Sequence, residues 1–506
     1  MLTMRTLVGF FILLLPAGCA SYKGTLDNGC ASLVEYKYFG ENARDYAGYW
    51  VSSAGDVDGD RLGDVLVGAY DNDEGGQVSG AAYLILGKSF AKRGQFNIAS
   101  ANYKFVGEKA GDFAGIMVTG VGDLDGDGKD DILIGAPQRV SLLDKDPRAA
   151  DEKGPATGLA YVVLAKSLGK NSSIDLSKAD YRLIGEKADD FAAYAVSSAG
   201  DVDGDGLPDL LIGASGHDAG GWNAGAAYIV LGKSLANKKT IHLAKADFKF
   251  VGEAADDYAG YYVSGAGDVD GDGLADIVIG AANDEGGKEA HAVYVIRGRS
   301  LGKRPSVVSL SKADYKIVGE NPYDYASQVS LPGDVDGDGL SDILIGAAGH
   351  DSGTTNEGAA YIVLGKSLGS KRMINLSNAD HKLVGENHQD GVGATAAHAG
   401  DVDGDGLGDV LVGALRYTGS YAKQGAAYLV LGKDLAGRTS MDLSEAYFRF
   451  AGDKGKRHVG HAVSSAGDID GDGLGDIVVG AWDAPPWRGA AYIITGKSAM
   501  NNTCTW

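Results

Sequence analysis

One acidic string recurs seven times, and nothing else in the chain limits the possible folds as strongly. In its third copy it reads DVDGDGLPD (201–209). Aspartates fill its first, third, fifth and ninth positions. They are Asp56, Asp58, Asp60 and Asp64; Asp123, Asp125, Asp127 and Asp131; Asp201, Asp203, Asp205 and Asp209; and Asp268, Asp270, Asp272 and Asp276. The last three copies supply Asp334, Asp336, Asp338 and Asp342; Asp401, Asp403, Asp405 and Asp409; and Asp468, Asp470, Asp472 and Asp476. Two carboxylates about 4 Å apart repel by up to roughly 4 kcal/mol at a surface-like dielectric. A tight loop aims all four acids at one point, and glycines at the fourth and sixth positions let the backbone turn sharply.

Oxygen-only donors suit a hard cation, and a flexible loop favours calcium over magnesium. The carbonyl of the seventh residue, Leu207 in the third copy, would add a ligand. The spacing therefore predicts up to seven calcium ions, in loops poorly ordered without them. An EF-hand would need an acid at position twelve and flanking helices. Here position twelve is apolar, as at Ile212, and a strand pattern begins at once. Solvated Asp-Gly turns give no reason for four acids in fixed register. Arg61 replaces the sixth-position glycine in the first copy, so that site is expected to be the weakest.

The copies lie 66 to 78 residues apart, and the longest interval contains the polar insertion 137–158. A repeat of this size is one supersecondary unit. In the fourth unit AGYYVSGAGD (259–268) precedes the acidic loop, then DIVIGA (276–281), AVYVIRG (292–298) and YKIVGE (315–320) follow. These β-branched and aromatic runs of strand length predict four strands per unit and no substantial helix. The 79 glycines and 10 prolines fit a protein of many tight turns. The expected fold is all-β: a seven-bladed propeller of four antiparallel strands per blade.

The termini distinguish a ring from a linear stack. The last unit ends after AAYIITG (490–496) without a fourth strand, and EYKYFGE (35–41) is a fourth strand with no unit before it. The N-terminal strand should therefore complete the last blade. Superposing both ends on the connection 232–248 sets Cys504 at the position of Thr240 and Cys30 at that of His242, near enough for a disulfide.

The N-terminus reads as an export signal, with Arg5, an apolar run Leu7–Leu15 and LPAGC (15–19). It resembles a bacterial lipoprotein signal cleaved before Cys19, whose thiol would be lipidated; an ordinary secretory signal is the alternative. The expected layout is a signal over 1–18, a lipidated tether over 19–30, a propeller over 31–498 and a tail over 499–506 tied to the N-terminus. The lipid would be the sole membrane attachment, at the outer membrane or cell surface, or the chain would be secreted. A net charge of −22 without a basic stripe argues against nucleic acid.

DVDGDGLADIVIGA with its following AVYV strand resembles the FG-GAP repeat of integrin α-subunit propellers and their bacterial relatives. The resemblance covers about 31–498. It implies calcium on the hairpins between inner and second strands, at the bottom face, with ligands meeting the opposite face.

Two loop sets would lie on that opposite face. One repeats an acid: Asp45, Asp112, Asp190, Asp257, Asp324 and Asp390, with Arg457 in the seventh unit. These acids either fasten strand ends or ring the central channel. The other set varies and carries Trp222, Tyr417, Tyr421, Trp482 and Trp487. Their rings either pack on a neighbouring blade or mark a ligand surface. No nucleophile motif, zinc signature or phosphate loop is present. The favoured reading is a calcium-stabilised surface propeller that binds a protein or a glycan, in adhesion or as a scaffold. The alternative is a polysaccharide lyase or hydrolase using the face opposite the calcium loops.

Overall fold

A computed structural model describes residues 34–138, 156–236, 238–282, 291–330, 333–351, 356–369, 371–419, 424–452, 458–484 and 487–501. Seven sheets form seven blades. Each runs outward from an inner strand, through two wholly buried strands, to a fourth. In blade four these are Ala259–Gly267, Asp276–Ala281, Ala292–Ile296 and Tyr315–Val318, all antiparallel. The second strand is buried at every residue, which explains why it reads as a continuous apolar run rather than an alternating one.

The ring closes as the sequence predicts. Tyr36–Phe39 pairs antiparallel with Ala490–Ile494, matching Tyr36 to Ile493 and Phe39 to Ala490. The first strand of the chain thus completes blade seven and covers the outer edge of its third strand.

The sequence reading missed a fifth strand. In six blades a short segment of the next blade's outer connection adds itself in parallel to the fourth strand. Ser173–Asp175 pairs with Tyr103–Val106, and Thr240–His242 with Tyr181–Ile184. Blade six has four described strands. The connection equivalent to its donor runs from the C-terminal residues to the N-terminal ones. Cys19, Cys30 and Cys504 lie there or before it, outside the described residues.

Blades pack through small residues. A Cβ on Gly213, in the second strand of blade three, would lie 2.0 Å from the carbonyl oxygen of Gly260 in blade four. Glycine is required because a neighbouring backbone passes across that strand.

The acidic loops are also linked to one another. The N–H of the eighth loop residue donates to the first-position carbonyl of the preceding loop. Gly63 donates to Asp468, Asp130 to Asp56, Ala275 to Asp201, Ser341 to Asp268, Gly408 to Asp334 and Gly475 to Asp401, at 2.7–3.0 Å. Blade three has Pro208 at that position and no N–H to give.

Candidate functional site

Each acidic loop is folded by its own aspartates. In blade three, Asp201 Oδ1 accepts from the N–H of Gly204 and Asp205, and Oδ2 from that of Gly206, at 2.7–3.1 Å. Asp205 accepts from Leu207 N–H at 3.0 Å. The glycines at positions four and six have φ of 79° and 88°. Arg61 takes the same left-handed conformation in blade one, at φ 70°.

The ninth-position aspartate joins two turns. Asp209 Oδ2 accepts from Val202 N–H, and Oδ1 from Gly232 N–H beyond the third strand, at 2.9 and 2.8 Å. All seven equivalents, Asp64 to Asp476, are 0% exposed. Burial pushes each carboxyl up to about 7, and Asp203 and Asp205 push Asp209 the same way.

The first, third and ninth aspartates come together in blades one, three, four and five, with one oxygen of each inside 4.8 Å of the others. In blade two the group is Asp123, Asp125 and Asp127, and two further groups of this kind occur. Asp125 Oδ1, Asp270 Oδ1 and Asp336 Oδ1 are buried without a hydrogen-bond partner. Buried anionic oxygens left unpaired are costly. This donor set fits a hard divalent cation. A basic side chain after the third strand already pairs with the third aspartate: Lys88 with Asp58, Lys166 with Asp125, Lys233 with Asp203, Lys366 with Asp336 and Lys433 with Asp403. In blade four Arg297 and Arg299 both reach Asp270, at 3.2 and 2.8 Å.

At the opposite end of the inner strands the repeated acids prove to be turn fasteners. Asp45 accepts from Asn42 N–H at 3.0 Å and from Asn72 Nδ2 at 2.9 Å. Asp190 and Asp324 accept from Lys187 and Asn321 N–H, and lie 3.0 and 3.2 Å from Nδ1 of His217 and His350. Asp45, Asp112, Asp190, Asp324 and Asp390 are buried, so they form no exposed ring. Arg457 lies outside the described residues.

The five aromatic candidates separate. Trp222 and Trp487 are 70% and 61% exposed. Tyr417 is buried, edge-on to Tyr428 and under the Arg449 guanidinium. That corrects its reading as a ligand-face group: neighbouring strands cover the ring. Trp482 is half-buried and stacks on His458 at 5.1 Å. Tyr421 lies outside the described residues.

Sequence reasoning missed a cavity of about 520 Å³ at the mouth of the central channel, on this same face. Tyr49 and Trp50 of blade one, Tyr194 of blade three and Tyr261 and Tyr262 of blade four form an aromatic wall. Tyr325 stands at its rim, 46% exposed. The available signal was the aromatic start of some inner strands, as in GYW (48–50) and GYY (260–262).

Comparison with known proteins agrees with this architecture. The FG-GAP repeat pattern matches residues 117–162, 192–230, 260–296, 326–363 and 393–430. Integrin alpha pat-2 of Caenorhabditis briggsae is 31% identical over 250 residues, covering 48% of this chain and 19% of that protein. Integrin alpha-PS2 of Drosophila melanogaster is 32% identical over 245 residues, covering 46% and 15%. The match thus spans less than a fifth of those relatives' own length. A chain in a crystal structure of BBS1N in complex with ARL6DN, soaked with lead, aligns over 90% of this chain and 96% of its own. Its identity is 8% and its TM-score 0.46, too distant to carry weight. With five matched repeats lying one per blade on blades two to six, and the same strand order in blades one and seven, the chain is an FG-GAP-repeat β-propeller.

Proposed function

We propose that this propeller works outside the cell, stabilised by calcium in its acidic loops, and holds a ligand on the opposite face in an adhesive or scaffold role. The observation that carries the reading is the division of labour between the ends of the inner strands. One end repeats a buried carboxylate site suited to a hard cation. The other carries a cavity and exposed aromatic rings, including Trp222 and Trp487. Similarity to integrin α-subunits supports a ligand-binding role. The signal-like N-terminus and Cys19 support export with lipid attachment, and Cys30 with Cys504 would staple the closing blade. Among the described residues no helix is long and apolar enough to cross a membrane.

Calcium titration into EGTA-treated protein, followed by calorimetry, tests the ion sites. Heat uptake by the native chain, reduced in Asp268→Ala, is the expected result; melting and heat unaffected by calcium would overturn it. Capture of a surface protein or glycan, weakened by Trp222→Ala or Tyr325→Ala, tests the ligand face. Intact mass before and after reduction tests the disulfide, and the mass of the mature N-terminus tests lipidation.

A further inference from the structure

The channel-mouth cavity is built unevenly, and its chemistry defines a class of ligand. Blades three and four supply tyrosines in van der Waals succession: Tyr194 and Tyr261 have centroids 5.3 Å apart, and Tyr261 and Tyr262 5.0 Å. Blade six supplies no ring: its lining residues are Gly393, Ala394, Thr395 and Leu415. Gly391 stands where blades four and five have Tyr258 and Tyr325, and Gly393 and Ala394 follow. One side is thus a wall of aromatic rings, tilted by 35° and 77° from one to the next, and the other is more open. A volume of about 520 Å³ lies within the range of small-molecule sites, roughly 300–1,000 Å³.

Among the described lining residues there is no Asp, Glu, Lys or Arg. Thr395 Oγ1 donates to the Gly460 carbonyl at 2.9 Å, which leaves its oxygen an acceptor. Gln328 Nε2 donates to the Ala396 carbonyl at 3.2 Å, and its Oε1 has no hydrogen-bond partner. His461 Nδ1 lies 3.0 Å from the Tyr49 carbonyl, which can only accept, so Nδ1 carries the proton and Nε2 is an acceptor. Burial pushes His461 down to about 4 and the Tyr49 phenol up to about 12, so both are uncharged near neutrality.

We propose that this cavity binds a neutral carbohydrate, with the C–H face of a sugar against a ring of the tyrosine and tryptophan wall and its hydroxyls meeting Thr395, Gln328 and His461. The assignment rests on the ligand-face reading above and gives it a chemical class. A sugar has an apolar C–H face and a polar edge, which match a wall of aromatic bodies with polar tips. A uronate or phosphate would meet no Lys or Arg among the described lining residues. A basic peptide could sit on the aromatic faces but would find no carboxylate among the described lining groups.

The full chain, with calcium present, is titrated calorimetrically with short neutral oligomers of hexose and N-acetylhexosamine. Parallel titrations use an oligo-arginine peptide and an oligogalacturonate. Ala394→Trp fills the open side without removing a wall residue, and Tyr325→Ala removes an exposed rim ring. Unchanged melting of both variants keeps folding out of the result. The expected result is binding of a neutral oligomer, unaffected by salt and weakened at least about tenfold in each variant. Binding of oligo-arginine alone, lost in the same variants and weakened by salt, would overturn the carbohydrate class and leave the ligand face standing. Binding of the galacturonate alone would do the same. If no probe binds, or a neutral oligomer binds equally well to both variants, the carbohydrate assignment to this cavity falls. The ligand-face reading then depends on the Trp222 rim.

Discussion

The two ends of the inner strands obey different rules. At the acidic end the blades are nearly interchangeable, and each ninth-position aspartate accepts the same two backbone N–H groups at full burial. At the other end the strands begin with Tyr49-Trp50, Ile116-Met117, Tyr194, Tyr261-Tyr262, Ser327-Gln328, Ala394-Thr395 and His461, and no two blades match. Holding a small ion requires one ligand set, so any copy serves as well as another. Shaping a cavity around a larger molecule requires unlike walls. The repeated end is therefore expected to govern stability and the irregular end recognition.

Chelation should test that contrast most severely. Each site occupied at a hundredfold excess over its dissociation constant adds about 2.7 kcal/mol, so EGTA should lower the melting temperature by many degrees. An unchanged melting curve would erase the distinction between the ends.

Point substitutions sharpen it. In EGTA, Asp276→Ala strands two buried N–H groups and should cost about 4 kcal/mol by denaturant unfolding. Tyr325→Ala, at the irregular end, should cost almost nothing. His461 should contribute a pH dependence. Its folded value near 4 lies below the ordinary 6.5, so the unfolded chain binds the proton first as pH falls. Its stabilising effect is complete above about 6.5 and declines toward pH 4, by up to about 3 kcal/mol. Unfolding of native and His461→Gln protein across that range should isolate this slope. Gly213→Ala forces a methyl into the Gly260 carbonyl and should cost about 2 kcal/mol. Arg61→Gly relieves a left-handed conformation and should gain about 1 kcal/mol, while tightening calcium in the first loop alone.

The same contrast explains what could be read from the sequence. Runs such as DIVIGA (276–281) are legible because both faces of that strand are buried. Ring closure was legible because EYKYFGE (35–41) lacked a unit of its own. The left-handed position of Arg61 followed from its six glycine counterparts. The fifth strand was not legible: Ser173–Asp175 is short, has no apolar run, and pairs with a different blade. Tyr417 and Trp222 occupy like loops, yet Arg449 and Tyr428 cover one while the other stays 70% exposed. The cavity depends on residues that only the closed ring brings side by side, so no local pattern announced it.

The loop-to-loop hydrogen bonds make the bottom rim a bracelet with one clasp left undone. Because Pro208 offers nothing to Asp123, pulling the disc apart is expected to start as a tear between blades two and three rather than between blades seven and one, which Gly63 and Asp468 tie together.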